Sequence, residues 1–246
     1  SGDFDADGVL DLMIGAEAST GRTFLFTGRD NFSWTLQTQQ LGSARIQPNV
    51  TGEEIQITGE ASSQFATVMV TGDLNADGKI DLAVGAPNYS TNVGRVYIFY
   101  SDGNYPSGAT STDSIITGSS NHKLGNNLVV GDFNADGKAD LGVGEIRATS
   151  EVSFYLFYND GSYPESDSGN DASFGTSNTS TFTSGFGKAV AVGEFNADGR
   201  TDIAITSPSC GDGALGGCLD IFYNDGSYGS ADVTVFGETS QSWGDA

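Results

Sequence analysis

Aspartate, asparagine and glycine recur along this chain at a spacing suited to holding a hard cation. In the stretch GDLNADGKIDLAVGA, which begins at Gly72, residues Asp73, Asn75, Asp77 and Asp81 occupy positions 1, 3, 5 and 9 of a loop whose sixth residue is Gly78. Oxygen-bearing side chains at alternate positions converge where a chain wraps around one ion. Ca2+ takes roughly 6 to 8 oxygen ligands at about 2.3–2.6 Å in irregular geometry, so carboxylates, an amide and the backbone carbonyl of Lys79 at position 7 can serve together. The sequence repeats the pattern three more times: Asp3, Asp5, Asp7, Val9 and Asp11; Asp132, Asn134, Asp136, Lys138 and Asp140; and Glu194, Asn196, Asp198, Arg200 and Asp202, with the position-7 residue contributing only its carbonyl. An EF-hand would carry a bidentate Glu at position 12, where the last three loops have Val84, Val143 and Ile205 inside apolar runs. The ninth-position Asp is therefore expected to close each site. One isolated D-x-N-x-D-G can be a solvated Asx turn, but four copies between strand-like runs predict calcium. Four bound ions would bring the formal net charge from −22 to about −14.

Other chemistry is sparse. His122 is the single histidine, which removes His-rich zinc sites from consideration. There is no Walker loop, nucleophile elbow or thiol motif, and the chain is not expected to be an enzyme. Cys210 and Cys218 bracket CGDGALGGC, where a Gly-rich hairpin could oppose them as a local disulfide; two free thiols are the alternative. A disulfide and calcium sites both point outside the cell. The strong negative charge opposes nonspecific binding to nucleic acid or anionic lipid, and no apolar run reaches the length of a membrane span.

The elements that must position these loops are strands. Thirty-five Gly, 11% aromatic residues and no sustained helical period describe an all-β chain of short strands and tight turns. Each complete loop lies between an apolar strand (FATVMVTGD from Phe65, LGNNLVVGD from Leu124, FGKAVAVGE from Phe186) and a second one (DLAVGAP, DLGVGE, DIAITSP; DLMIGAE in the first copy). A third strand follows (RTFLFT, GRVYIFY, VSFYLFY, CLDIFY), and three of these run into YSDGNY or YNDGSY turns, across which Tyr100 and Tyr105, Tyr158 and Tyr163, and Tyr223 and Tyr228 could pack. A fourth, edge-like strand reads EIQITGE, DSIITGS and DVTVFGE, with a degenerate counterpart near TSTFTSG. Four short strands in a period of about 60 residues is the pattern of a β-propeller blade.

The succession FG, GDFNADGxxDLAVGAP and GxVYIFY resembles the FG-GAP repeat, the unit of the integrin α-chain propeller and of many bacterial and archaeal surface proteins. The resemblance covers essentially all of residues 1–246 as one β-propeller region of about four four-stranded blades, with repeats at roughly 1–64, 65–123, 124–185 and 186–246. It implies that the calcium loop joins the first two strands of each blade and that the family's calcium ligands fall on the four sets above. Two departures stand out: Glu194 replaces Asp at position 1 of the last loop, and Phe65-Ala66 replaces Phe-Gly.

Function is expected to be that of an extracellular, secreted or cell-surface module, adhesive or structural, binding a protein or glycan ligand. The alternatives are a lectin-like propeller, with Trp34, Trp243 or the blade tyrosines stacking on sugar, and the noncatalytic domain of an extracellular hydrolase. An insertion over residues 28–52 is the expected contact surface. The Ser/Thr-rich stretch Glu165–Ser184 reads as a mobile or glycosylated connection, and Asn31, Asn49, Asn88 and Asn178 begin sequons consistent with a glycoprotein. The half-strands at the termini, ending in Trp243-Gly244-Asp245-Ala246, suggest a larger propeller or end-to-end assembly into a surface fibre or filament.

Overall fold

The computed structural model of the chain describes all residues except 5–6, 17–19, 29–53, 103–106, 147–152, 176–181, 185, 208, 211–216, 227 and 238–246. Most of the expected insertion with Trp34, Tyr105, the sequons at Asn31, Asn49 and Asn178, and Trp243 to Ala246 lie outside the described residues. The rest is all β, as the composition requires, arranged as antiparallel sheets in chain order. The first sheet has β1 (Leu12–Ala16), β2 (Arg22–Phe26) and β3 (Glu54–Thr58). The second has β4 (Met69–Gly72), β5 (Asp81–Ala86), β6 (Arg95–Phe99) and β7 (Ser114–Thr117). The third has β8 (Asn127–Gly131), β9 (Asp140–Gly144), β10 (Ser153–Phe157) and β11 (Ala172–Gly175). A short pair, β12 (Phe182–Ser184) with β15 (Ser209–Cys210), accompanies the last sheet of β13 (Val190–Gly193), β14 (Asp202–Ser207), β16 (Cys218–Phe222) and β17 (Val233–Phe236). Each four-stranded sheet follows chain order from inner to outer strand, as in the blades of a β-propeller.

The inner strand ends at the same register in every blade. Gly72 pairs with Asp81, Gly131 with Asp140 and Gly193 with Asp202. In the first sheet a single antiparallel bridge, Gly2 to Asp11, stands at that point. The loop between each such pair is the D-x-N-x-D-G segment, so a two-strand ladder clamps its two ends.

Both faces of the inner blades are buried, which explains why β5 and β9 read as continuous apolar runs rather than alternating ones. Leu82, Val84 and Ala86 of β5 join Tyr97 and Phe99 of β6 in a core shared with Ile57 of the first sheet. Ala83, Val96 and Ile98, on the opposite face, pack with Leu141, Val143, Tyr155 and Phe157 of the third. Phe154, Leu156 and Phe174 then meet Ile203, Ile205 and Phe222 of the fourth. Three greasy seams thus glue four blades together, at roughly 25 cal/mol per Å² of apolar surface removed from water. The seams are close at the backbone: a Cβ on Gly85 would lie 2.1 Å from the carbonyl oxygen of Gly125 in the next blade.

Two expectations need correction. The fourth strand of the third blade is β11, ASFG at Ala172–Gly175, and not the TSTFTSG segment, part of which pairs as β12 with β15. Accordingly, the stretch from Glu165 is not a mere connection: Asp167–Gly169 forms a 3-10 turn and β11 follows. Asp171 sets the start of that strand, its carboxylate accepting the Tyr158 N–H at 2.7 Å, as Asp113 does for Tyr100 and Asp232 for Tyr223. The turn tyrosines also look elsewhere than across their own turns. Tyr228 packs edge-on against Phe133 of the preceding blade, with centroids 6.4 Å apart, and stacks on Phe174 at 5.7 Å. Tyr163 is buried in the seam that holds Leu74.

Candidate functional site

The described residues of the four loops share their left-handed positions. Position 4 is left-handed in the last three (Ala76 φ 59°, Ala135 φ 60°, Ala197 φ 66°), and position 6 is left-handed in all four, with Gly78 at φ 85°. In the second loop the position-1 carboxylate faces its own backbone: Asp73 Oδ1 accepts the Asp77 N–H and Oδ2 the Gly78 N–H, each at 2.9 Å. Asn75 Oδ1 accepts the Asp77 N–H at 2.9 Å, and Asp77 Oδ1 the Lys79 N–H at 2.9 Å. The third loop repeats these bonds with Asp132, Asn134 and Asp136 at 2.9–3.0 Å. In the first, Asp3 holds Asp7 and Gly8, and Asp7 holds Val9; Asp5 lies outside the described residues. The fourth departs where its sequence does. The longer Glu194 places Oε1 on the N–H groups of Asn196 and Ala197, at positions 3 and 4, instead of positions 5 and 6.

The donor chemistry of these loops fits a hard dication. The last three hold carboxylate and amide oxygens at positions 1, 3 and 5, the first holds the carboxylates of Asp3 and Asp7 among its described residues, and an oxygen that accepts one N–H keeps a second lone pair. The acidic groups also burden one another. Burial pushes the Asp81 carboxyl up to about 6, against the backbone N–H bonds from Ser101 and Leu74, and the charges of Asp77 and Asp73 push it further up. Burial likewise raises Asp140. A cation in the loop would relieve that repulsion. When bound, calcium would supply the positive charge that holds positions 1, 3, 5, 7 and 9 together.

The ninth-position Asp, expected to close each site, has a hydrogen-bonding role of its own. Asp11, Asp81, Asp140 and Asp202 are all buried, and each uses both oxygens as backbone acceptors. One oxygen takes the N–H of loop position 2: Phe4 at 2.6 Å, and Leu74, Phe133 and Phe195 at 2.8 Å. The other takes the N–H of Gly28 at 2.6 Å, or of Ser101, Asn159 and Asn224 at 2.8 Å, where the third strand enters its turn. Those last three residues reach back to the loop of the preceding blade. Ser101 Oγ donates to the Phe4 carbonyl, Asn159 Nδ2 to the Asp73 carbonyl at 3.2 Å and Asn224 Nδ2 to the Phe133 carbonyl at 3.0 Å. A polar chain therefore runs from loop to loop across the four blades.

Position 7 was expected to matter through its carbonyl alone, and this is corrected for three loops. Lys79 Nζ donates to the Ser101 carbonyl at 3.0 Å, Lys138 Nζ to that of Asn159 at 3.1 Å and Arg200 to that of Asn224 at 3.1 Å. The cationic side chain pins its loop to the turn of its own blade. Sequence reading missed the Ser/Asn residue, although its recurrence directly before Asp-Gly in Y-[S/N]-D-G was the available signal. Cys218 is buried at the start of β16, while the side chain of Cys210 lies outside the described residues.

Two family models match the chain: an FG-GAP-like repeat over residues 54–143 and an FG-GAP repeat over residues 186–215. The chain is similar to rat phosphatidylinositol-glycan-specific phospholipase D, 34% identical over 74% of this chain and 24% of that protein. It is similar also to mouse integrin alpha-IIb, 27% identical over 85% of this chain and 19% of the relative, and to human integrin alpha-7, 35% identical over 37% and 8%. The chain thus spans about a quarter or less of the length of these relatives.

Proposed function

The chain is an FG-GAP repeat protein with an integrin alpha-like fold, and from that premise we propose that it is a calcium-stiffened β-propeller module for protein interaction outside the cell. The observation that carries this reading is the repeated loop: in the second, third and fourth copies oxygens sit at positions 1, 3 and 5 of a backbone left-handed at positions 4 and 6, and the described part of the first copy shares the left-handed glycine at position 6. Calcium here is structural: it ties down the loops that the Asp and Asn chain links from blade to blade, and rigid blades then present their connecting loops to a partner. The integrin relatives support a protein ligand and a location at the cell exterior, and a Cys210–Cys218 disulfide would suit that location.

End-to-end association has its own support. At loop position 2, Phe4, Leu74 and Phe133 are each 1% exposed, whereas Phe195 of the last blade is 44% exposed. A surface built to receive a blade is thereby open to a further one. A second reading, a noncatalytic propeller within a longer hydrolase, is favoured by the alignment of 74% of the chain with part of the phospholipase D. No described helix is long and apolar enough to cross a membrane.

The test is thermal unfolding across a calcium titration. Free Ca2+ at a hundred times the dissociation constant stabilises by about 2.7 kcal/mol per site, so the Tm should climb with Ca2+ and drop with chelator. A melting curve indifferent to both would end the calcium reading.

A further inference from the structure

We propose that His122, Glu145 and Asp167 form a binding site for a transition-metal dication of the Zn2+ class, separate from the four loops. His122 Nδ1 lies 2.8 Å from Glu145 Oε2 and 3.2 Å from Asp167 Oδ2, and the ligand atoms of all three fall within 4.8 Å of one another. Both carboxylates are almost wholly buried, with side-chain exposures of 0% and 5%, and the imidazole, at 18%, forms the side open to solvent. Two buried carboxylates and an imidazole nitrogen converge on one point, and a dication held by neutral imidazole and both carboxylates would balance their two charges.

The preceding blade shows that these residues are an addition to the repeat. Ser63 lies between left-handed Ser62 and Gln64 as His122 lies between left-handed Asn121 and Lys123. Ala86 ends β5 five residues after Asp81, where Glu145 stands five residues after Asp140. Ala109 comes two residues after Ser107, whose carbonyl accepts the Thr58 N–H; Asp167 comes two after Glu165, whose carbonyl accepts the Thr117 N–H. Where the second blade carries Ser, Ala and Ala, the third carries three ligand types together. Ala86 and Ala109 belong to an apolar core, so the fold itself does not need polar groups there.

The carboxylates are held from behind, as ligands of a metal usually are. Ser119 donates its N–H to Asp167 Oδ2 at 2.9 Å and its hydroxyl to Oδ1 at 3.1 Å. Ser153 N–H donates to Glu145 Oε1 at 2.9 Å, and the Tyr155 hydroxyl to Oε2 at 3.2 Å. One imidazole with two carboxylates suits Zn2+, Co2+ or Mn2+, whereas Ca2+ favours oxygen alone. Binding displaces the Nδ1 proton to solvent, so metal uptake releases a proton wherever the imidazole is charged.

The test uses the full chain with its calcium loops saturated by Ca2+ and Zn2+ as the probe. Because His122 is the single histidine, its imidazole NMR signals report on this site alone. They should convert to a bound set at one equivalent of Zn2+, and calorimetry should find one matching site. His122→Ser, Glu145→Ala and Asp167→Ala, each installing the residue of the preceding blade, should weaken that site at least tenfold. Imidazole signals unmoved by Zn2+, or equal Zn2+ affinity in folded His122→Ser, would overturn the proposal and leave a buried ionic triad; if a variant fails to fold, the wild-type NMR titration decides.

Discussion

Asn159 donates its Nδ2 to the main-chain carbonyl of Asp73 at 3.2 Å, joining the turn of the third blade to the first position of the second blade's loop. The same amide donates to the Ala139 carbonyl at 3.2 Å, so one side chain ties together its own loop and its neighbour's. Asn159→Ala should cost about 0.5–1.5 kcal/mol, because it removes the donor from two part-buried hydrogen bonds. Urea unfolding measures it, and Asn159→Ser, which copies Ser101, should recover part of the loss. A midpoint unchanged by Asn159→Ala would show that the blades are coupled by the apolar seams alone.

Lys79→Ala should be destabilising despite the main-chain role expected of position 7. Its Nζ bond to the Ser101 carbonyl is part-buried, so the cost should be about 0.5–1.5 kcal/mol. Lys79→Arg should be nearly neutral, since Arg200 makes the equivalent bond in the fourth blade. Equal stability of the wild type and Lys79→Ala in chemical denaturation would count against this cross-link.

These two residues mark the boundary of what the sequence made legible. The loops were readable because their pattern is local: nine consecutive residues fix the wrap, and Asp81 declares the next strand. The strands β5 and β9 were readable because stacking between neighbours makes both of their faces apolar. Asn159 was not, since its partner lies 86 residues away and nothing local distinguishes it from a turn residue. β11 was missed because ASFG is short and its start is set by Asp171 bonding back to Tyr158, a long-range cue. His122 was set aside for lacking a second histidine, while its partner carboxylates come from the end of a strand and from a turn of the third blade.

Asp220 should destabilise the protein at neutral pH. Burial raises its pKa, against the hydrogen bond donated by Thr234, and its Oδ2 is buried with no hydrogen-bond partner among the described residues. A carboxyl whose folded pKa lies above its unfolded value contributes stability that is full below the unfolded pKa and is lost as pH rises through the folded one. Asp220→Asn should therefore be more stable than the wild type by about 1 kcal/mol at pH 7, with the gap closing toward pH 4. A gap independent of pH would remove ionisation as the cause.

Gly78 tests the loop backbone itself. A Cβ there would meet nothing within 4 Å, so space is not what requires glycine; φ of 85° is. Gly78→Ala should cost about 1–2 kcal/mol, and Gly78→Asn less, because asparagine tolerates the left-handed region. Thermal melts in calcium rank the three, and Gly78→Ala matching the wild type would contradict the left-handed geometry.

Phe133 and Phe195 occupy the same loop position and should respond differently to the same substitution. Phe133 is 1% exposed under Tyr228 of the next blade; Phe195 is 44% exposed. Phe133→Ala removes a full aromatic side chain from the seam between blades three and four, at a cost of about 3–5 kcal/mol. Phe195→Ala should cost less than about 1 kcal/mol in a solution of monomers, as surface changes do. Its effect should instead appear in association: if a further blade docks on this face, sedimentation at high concentration should show less self-association for Phe195→Ala than for the wild type. A large loss of monomer stability from Phe195→Ala would mean that its ring is covered within the chain and that the face is not available for docking.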